Sequence, residues 1–545
     1  MRSEKLANNT ILIVDSHAFG RDNLRRTLLS AGVDKITVTT NASKAISLCK
    51  QQDFDLVIAE YDLGEGKNGQ QLLEELRSQR WLKNTSAFII LTSETTRDVV
   101  LSTLEFKPDD YLAKPYLEPA LIRRLHRAAR YKYALKAVYQ AIDDNSLLAA
   151  IQTCTEYIRD SEAFNESAMQ LLAELYLSTR QYQQALDIYD HILLVRDADW
   201  ARLGLAKVYM QQGLDDEAEA LFLELIDINY MYVEAYENLA SIYLKKQQLQ
   251  KSEDILSRAI LISPLSLRRQ QMYASVCEKN NHFDLAAKAL RQVLRISRHS
   301  KYETEENYLR LSSCLTDYCD FFDAYQDEKI TTEISKHLMT MRKFHRPSKD
   351  SETQALLIES RVMTGKGIAE SAKEIMDKVA ERHEQKPETF SVNTQLEYAK
   401  SLTAIGETNS AQKILTSLVG QCDDKDLLMR ADKVLDEPVS SDGKQRIIEL
   451  NRQGISLYKE KHYQKSVEAF SKAQSLFPRN IELNLNLVQA LIKLVQDHAD
   501  DDNRELWLSQ AEKCIKAVEH ILPDHKKYQN YRRLIAEIAA LENYK

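Results

Sequence analysis

Short apolar runs alternate with segments of helical spacing over the first 130 residues of the chain. Continuous apolar runs are typical of strands buried on both faces of a parallel sheet, whereas apolar positions three and four apart indicate helices. The predicted strands are Ile11–Val14, Ile36–Thr39, Leu56–Ala59, Phe88–Leu91 and Tyr111–Ala113. The predicted helices are Arg21–Ala31, Ser43–Lys50, Gln70–Arg80, Arg97–Phe106 and one from about Glu118. This alternation predicts a doubly wound, five-stranded parallel sheet, an α/β fold.

Polar residues follow four of the predicted strands. In a doubly wound sheet, ligands bind at the carboxyl ends of the strands. The polar residues found there are Asp15, Ser16, Glu60, Thr92 and Lys114. Carboxylates suit a hard cation such as Mg²⁺, and a lysine with a hydroxyl can hold phosphoryl oxygens. The set therefore indicates chemistry on a phosphorylated carboxylate in one crevice.

A family resemblance is carried by four segments, ILIVDSH, DLVIAEYDLGEG, ILTS and DDYLAKP. They resemble the motifs of response-regulator receiver domains, over about residues 9–130. The resemblance implies a flavodoxin-like (CheY-like) receiver. It also implies that Thr92 is the switch hydroxyl, Tyr111 the switch aromatic and Lys114 the lysine that contacts a phosphoryl group.

The metal site implied by this resemblance departs from the family pattern. Receivers usually carry two adjacent acids after the first strand, and here the second of them is Ser16. The metal ligands that remain are Asp15 and Glu60. A hydroxyl is a weaker ligand for a hard cation than a carboxylate, so we expect Mg²⁺ binding to be weakened. No other cofactor is expected.

The phosphoacceptor position, an Asp in receivers, holds Glu60 when residues are counted along the third strand. Asp62 is the rival acceptor, because its spacing to Thr92 and Lys114 suits a receiver slightly better than that of Glu60. The spacing from Asp15–Ser16, by contrast, favours Glu60. Glu is one methylene longer than Asp, and it carries about −1 charge against roughly −2 for a phosphate. We hypothesise that the pocket partly mimics the phosphorylated state and is locked or weakly regulated. A decayed receiver kept for docking or dimerisation is the alternative.

The remainder of the chain, from residue 131, repeats with a period near 34 residues. The pattern Leu172-Ala173-x-x-Tyr176 recurs three times, at successive offsets of 33, 34 and 34 residues. Each copy adds a small and then a large residue in its second helix, as in Ala185 and Tyr189. Small residues let paired helices approach, and large ones fill the space to the next pair. The pattern resembles tetratricopeptide repeats, with copies at 166–199, 199–232, 233–266 and 267–300. The family implies an all-α superhelix.

The regions on either side of these four copies follow the same principle less regularly. Helices at about Arg130–Ile142 and Ser146–Ile158 predict an initial hairpin that the last receiver helix enters almost without a linker. The array of 131–435 becomes divergent over 301–435. A linker is predicted at Asp436–Lys444, followed over 445–545 by further repeats and a capping helix from Lys526. The acidic run Asp500–Asp502 is expected to be an exposed loop.

Composition narrows the class of function. The net charge of −8 disfavours nucleic-acid binding, which needs clustered Lys and Arg. The sequence has no secretory signal pattern and no stretch long enough for membrane insertion, so we expect a cytoplasmic protein. Reduced, buried thiols are expected for the seven scattered cysteines, Cys49, Cys154, Cys277, Cys314, Cys319, Cys422 and Cys514. Since no metal cluster, Ser-His-Asp arrangement or P-loop is found, we expect no enzyme activity.

The whole layout resembles VieB-type regulators, in which a receiver precedes helical repeats in a three-component signalling system. This resemblance implies a response regulator of a bacterial two-component phosphorelay, with a sensor histidine kinase or a partner response regulator as its partner. The repeats would hold a peptide or helix of a partner in their groove. Two alternatives stay open: a regulator phosphorylated on Asp62 that switches the array, and a structural assembly factor with a relic receiver. A homodimer is also left open. The basic residues of the last receiver helix are either a solvated face or a docking surface; they are Arg123, Arg124, Arg127, Arg130 and Lys132.

Overall fold

The computed structural model describes residues 4–94, 96–421, 424–497 and 503–542. Cys422 and the acidic run Asp500–Asp502 lie outside the described residues, so the expectations placed on them stay predictions. Backbone contacts divide the chain into two compact units. The first unit extends to Tyr273 and includes Gln292–Glu303, and the second comprises Ala274–Arg291 and the chain from Thr304 onward.

The predicted five-stranded parallel sheet is confirmed, with the strand order β2-β1-β3-β4-β5. The three central strands are buried along their whole length, because helices cover both faces of the sheet. The bounds are β1 (Ile11–Val14), β2 (Ile36–Thr39), β3 (Leu56–Glu60), β4 (Ala87–Thr92) and β5 (Asp110–Ala113).

Strands β3 and β4 each extend into the polar residue that follows their apolar run. Glu60 is the last residue of β3 and lies in register with Leu91 of β4. Thr92 is the last residue of β4 and lies in register with Ala113 of β5. The pairing of the strands therefore fixes Glu60 and Thr92 at the carboxyl edge of the sheet.

Helices flank the sheet and form an apolar cluster on each face. Side chains alternate between the faces, so that Val57 packs with α3 and α4 while Ile58 packs with α2 and α6. The N-terminal helix bounds are α1 (Glu4–Ala7), α2 (Ala18–Ser30), α3 (Ala42–Gln51), α4 (Gly69–Ser78), α5 (Arg97–Glu105) and α6 (Glu118–Ala134).

The segment from residue 135 onward is built from paired helices, as the 34-residue period predicts. Ala185 and Tyr189 are both buried, and the Tyr189 ring lies where a side chain at Gly204 would have to be. Close approach at this position therefore requires glycine. The bounds are α7 (Lys136–Asp143), α8 (Leu147–Asp160), α9 (Asn165–Ser178), α10 (Tyr182–Val195), α11 (Asp199–Gln212), α12 (Asp215–Ile228), α13 (Val233–Lys245), α14 (Leu249–Ile262), α15 (Leu267–Lys279) and α16 (Phe283–Ser297).

The junction between the receiver and the repeats is a single residue. Helix α6 ends at Ala134 and α7 begins at Lys136, with the buried Leu135 between them. The predicted continuous helix over Arg130–Ile142 is therefore broken at Leu135, although the direct connection without a linker is present. This break could not be predicted from the pattern of residues, because Leu is a good helix former.

Helix pairs continue through the second unit. The predicted linker Asp436–Lys444 is shorter than expected, because α24 already begins at Ser441. The Asp432 carboxylate accepts hydrogen bonds of 2.8 Å from the backbone N–H groups of Val439 and Ser440, and this fixes the turn before the helix. The bounds are α17 (Glu305–Phe322), α18 (Glu328–His345), α19 (Lys349–Gly365), α20 (Ala369–Gln385), α21 (Val392–Ala404), α22 (Thr408–Gly420), α23 (Lys425–Asp432), α24 (Ser441–Lys459), α25 (Tyr463–Leu476), α26 (Ile481–Asp497), α27 (Arg504–Ala517) and α28 (Tyr528–Glu542), with a short 3₁₀ helix at Pro387–Thr389.

Candidate functional site

A buried ion pair lies at the carboxyl edge of the sheet. The Lys114 ammonium, just after β5, contacts the Glu60 carboxylate at the end of β3 directly. The same ammonium lies 3.5 Å from Oδ2 of Asp15, which follows β1. Asp15 and Glu60 are only 1 % and 5 % exposed, so the ammonium is the cation that compensates two buried carboxylates.

Burial and pairing act in opposite directions on the two partners. Burial raises the pKa of the Glu60 carboxyl above its usual range, and the nearby ammonium only partly opposes this rise. Burial alone would lower the pKa of Lys114, but the hydrogen bond and charge of Glu60 raise it above its ordinary value. Lys114 therefore stays protonated throughout the neutral range, with its charge directed at Glu60.

The Asp15 side chain is held by the turn that follows β1. Its Oδ1 accepts a hydrogen bond of 2.7 Å from the backbone N–H of His17. A side chain at Gly20 would collide with Oδ2 of Asp15, so the carboxylate would have to move to admit one. The Arg21 guanidinium donates to the backbone oxygens of Asp15 and Ser16, both at 2.8 Å. The sequence pattern did not reveal Gly20 and Arg21 as site residues, because neither lies at a strand end.

Glu60 is positioned by the start of α4. Gly69 lies so close to the carbonyl oxygen of Glu60 that any side chain there would collide with it. The helix start is fixed by a capping box, in which the Asn68 side chain accepts from the backbone of Gln71 and the Gln71 side chain accepts from the backbone of Asn68. This packing brings the N-terminus of α4 against the end of β3.

Ser16 and Asp62, the other two acceptor-region residues, lie on the rim of the pocket. The Ser16 hydroxyl is 3.2 Å from Nδ1 of His17 and 3.5 Å from the backbone oxygen of Asp62. The Asp62 side chain is exposed, and its Oδ1 accepts from the backbone N–H of Gly64 at 2.9 Å. The Asp62 carboxylate is thus engaged in its own loop, whereas Glu60 makes the contact with Lys114.

The two residues of the predicted switch meet at one backbone segment. Thr92 is fully buried, and its Oγ1 accepts from the backbone N–H of Glu94 at 2.9 Å. The Tyr111 hydroxyl donates to the backbone oxygen of the same Glu94 at 3.0 Å. Both side chains therefore hold the segment that leads into α5.

The donor set does not fit a Mg²⁺ ion. A magnesium site needs carboxylates that face the ion, together with room for several waters. Here Glu60 is directed at the Lys114 ammonium, Asp15 accepts from His17, and Ser16 replaces the second acid. Within the described ranges, no group of three or more His, Cys, Asp or Glu side chains is arranged to hold a metal ion. The two buried carboxylates thus face the Lys114 ammonium.

The basic residues of α6 differ in their surroundings. Lys132 is buried and pairs with Asp109 Oδ1 at 2.8 Å, and it donates to the backbone oxygen of Asn84 at 2.9 Å. Arg124 pairs with Asp110. Arg124 is nevertheless exposed, so the solvated face comprises Arg123, Arg124, Arg127 and Arg130.

Comparison with family models agrees with this geometry. Residues 11–126 match the response regulator receiver domain. Residues 168–199 and 233–264 match tetratricopeptide repeats. The chain therefore carries a response regulator receiver domain followed by tetratricopeptide repeats. Receiver domains interact with kinases or other regulators, and tetratricopeptide repeats mediate protein–protein interaction.

Curated relatives match only parts of this architecture. The chain is 28 % identical over 141 residues to the transcriptional regulatory protein YvrH of Bacillus subtilis, which covers 26 % of this chain and 55 % of YvrH. It is 32 % identical over 92 residues to the response regulator SaeR of Staphylococcus aureus, which covers 17 % of this chain and 38 % of SaeR. The chain thus spans about half or less of the length of these regulators.

Solved receiver structures resemble the N-terminal part of the chain. A receiver domain of the Francisella response regulator 1452 has 23 % sequence identity and a TM-score of 0.21, and the match covers 23 % of this chain and 98 % of that domain. Vibrio cholerae CheY4 has 22 % identity and a TM-score of 0.21, covering 22 % of this chain and 98 % of CheY4.

Among the helices of the described residues, none has the length and apolar character needed to cross a membrane.

Proposed function

We propose that this chain is a non-enzymatic, cytoplasmic two-component signalling adaptor whose receiver does not cycle through phosphorylation. Its repeats bind a protein partner, and its target is a sensor histidine kinase or the phosphotransfer from that kinase to another response regulator. The observation that supports this most strongly is the direct contact between Lys114 and Glu60. Glu60 holds the phosphoacceptor position, and Thr92 and Tyr111 are the switch residues.

The chemistry of the pair explains why a locked receiver is favoured. Here the Glu60 carboxylate is already in contact with the ammonium, and it supplies about one negative charge where a phosphate would supply nearly two. A phosphoryl donor would have to break this buried pair, with little help from a divalent cation.

Phosphorylation of Asp62 is the competing function. The Asp62 carboxylate is exposed and available to a donor, but it binds the backbone of its own loop. Its position does not offer the lysine contact that stabilises an acyl phosphate. We therefore favour the adaptor function over a regulator switched through Asp62, and over an assembly factor whose receiver is a relic.

Acetyl phosphate with Mg²⁺ distinguishes these functions in the full-length protein. We expect the intact mass of the wild-type chain to show no stoichiometric phosphoryl adduct, whereas the double variant Ser16→Asp/Glu60→Asp, which restores both acids, becomes labelled. Asp62→Asn is the matched control. Stoichiometric labelling of the wild type that disappears in Asp62→Asn would refute the adaptor hypothesis.

A phosphotransfer assay tests the partner. The chain is added to an autophosphorylated sensor histidine kinase and its response regulator, both chosen by co-purification with this protein. We expect the rate of phosphotransfer to change with the concentration of the chain. Because the proposal does not require an acceptor aspartate, Asp62→Asn should have the same effect as the wild type. An unchanged phosphotransfer rate would contradict the role assigned to the partner.

A further inference from the structure

A buried arginine joins the receiver to the repeats within the first compact unit. Arg269, on α15, is only 1 % exposed. Its Nη2 lies 2.9 Å from Oε2 of Glu105, the last residue of the receiver helix α5, and 3.0 Å from Oε1 of Glu237 on α13. The hydroxyl of Ser263 donates to the other oxygen of Glu105 at 2.7 Å. Both carboxylate oxygens of Glu105 are thus bound by the repeats.

Other polar contacts flank this clamp, which is formed by Glu105, Arg269, Glu237 and Ser263. The Gln71 amide on α4 donates to the backbone oxygens of Ile296 and Arg298 at 3.2 Å and 3.1 Å. Between the two groups of contacts lies a cleft of about 970 Å³. The apolar clusters on the two faces of the receiver sheet contain no residue of the repeats. Hydrogen bonds and charges therefore join the receiver to this edge of the repeats.

Separation at this edge would leave neither charge of the clamp buried without a partner. Glu105 returns to solvent as an ordinary surface carboxylate. Arg269 keeps Glu237 and the backbone oxygen of Ser263 as partners, so it is not left as an uncompensated buried charge. The clamp is therefore a contact that can open without unfolding the receiver or the repeats.

Helix α5 connects the clamp to the receiver pocket. The backbone of Glu94, which Thr92 and Tyr111 hold, lies just before the first residue of α5 at Arg97. The clamp residue Glu105 is the last residue of the same helix. Nine residues of α-helix span about 13 Å, so a shift of Glu94 acts on a short, stiff element.

We infer that Glu105, Arg269 and Ser263 form a releasable latch that holds the receiver against the repeats. In the released state two surfaces become exposed together: the surface of α5 on the receiver (the α5 face) and the surface around Arg269 on the repeats (the Arg269 edge). The latch does not depend on whether Glu60 or Asp62 is phosphorylated, so it stands independently of the proposed function.

Hydrogen–deuterium exchange on the full-length protein tests the latch. We expect Glu105→Gln to accelerate amide exchange about ten- to hundredfold in α5 and also in the segment 263–271, the factor that corresponds to losing hydrogen bonds to a charged group. Asp98→Asn is the matched control, because Asp98 is an exposed acid on the same helix outside the clamp. Glu105→Asp keeps the negative charge, and its amide exchange rates should lie between those of Glu105→Gln and those of Asp98→Asn.

Wild-type exchange in Glu105→Gln would overturn the latch, and so would acceleration confined to α5 or extending equally into β3.

Discussion

The buried pair of Glu60 and Lys114 predicts an asymmetric response to mutation. Lys114→Met removes the cation and leaves two carboxylates, Glu60 and Asp15, at 5 % and 1 % exposure. Glu60→Gln removes one carboxylate, and the ammonium keeps Asp15 at 3.5 Å and its own 29 % exposure. Loss of the lysine should therefore destabilise the receiver more than loss of the glutamate.

Protonation of Glu60 limits how far Lys114→Met can destabilise the receiver. Without Lys114, Glu60 can be neutralised by a proton, and from an ordinary pKa of about 4.3 this costs about 3.5 kcal/mol at pH 7 and about 1 kcal/mol at pH 5. Removing one partner of a buried pair costs about 3–5 kcal/mol, which agrees with this limit. We expect a loss of about 3 kcal/mol for Lys114→Met at pH 7, about 1 kcal/mol at pH 5, and about 1 kcal/mol for Glu60→Gln at both values.

Amide exchange in β1 and β3 of the full-length chain measures these losses locally, after correction for the intrinsic rate at each pH. A local measurement is needed because a chain with two compact units need not unfold in one transition. The reasoning is refuted if Glu60→Gln costs as much as Lys114→Met, or if the cost of Lys114→Met is the same at pH 5 and pH 7.

Three further predictions concern packing, thiols and alkaline pH. Gly20→Ala should cost about 1–3 kcal/mol in the same exchange measurement, because the new methyl group displaces the Asp15 carboxylate. Gly420→Ala is the control and should be neutral, because a methyl group there meets no neighbouring atom. Equal effects of the two substitutions would contradict this prediction. Native protein at pH 8 should react with iodoacetamide at Cys422 at most, since the six cysteines in the described ranges are buried. Burial also raises the pKa of the Cys154 thiol to about 11. Rapid labelling of Cys154 would contradict this prediction. The raised pKa of Lys114 contributes stability that is present below its unfolded value of about 10.4 and is lost as pH rises through the higher folded value. The first urea midpoint should therefore fall as pH rises above about 10.4 in the wild type, and fall less in Lys114→Met.

The sheet could be predicted because its information is local. An apolar run that ends in a polar residue marks both a buried strand and the place where its end meets solvent, so Asp15, Glu60, Thr92 and Lys114 could be assigned to one edge. The contact of Lys114 with Glu60 could not be predicted, because it depends on side-chain conformations. The end of β3 likewise differed by one residue from the predicted apolar run, because the strand extends to Glu60.

Other features depend on residues far apart in sequence. Glu105 and Arg269 are 164 positions apart, and no periodicity relates an acid at the end of a receiver helix to a basic residue in a repeat. Gly20 and Gly69 are required because a neighbouring carboxylate or carbonyl fills the space of a side chain, and this is visible only in three dimensions. Repeat periodicity, by contrast, was sufficient to locate the helix pairs, since each pair repeats the same small and large residues.

The proposed locked pocket and the inferred latch together would constrain what can open the receiver. If Glu60 takes the place of a phosphoryl group, phosphorylation does not supply the energy for release, and a binding partner has to supply it. A ligand shifts an equilibrium only through its different affinities for the two states. Moving a latch from about 1 % to about 99 % open requires a partner that binds the open state roughly 10⁴-fold more tightly, or about 5.5 kcal/mol. Such a preference requires contacts with surfaces that only the open state exposes, namely the α5 face and the Arg269 edge, and a partner that binds elsewhere on the repeats would leave the latch closed.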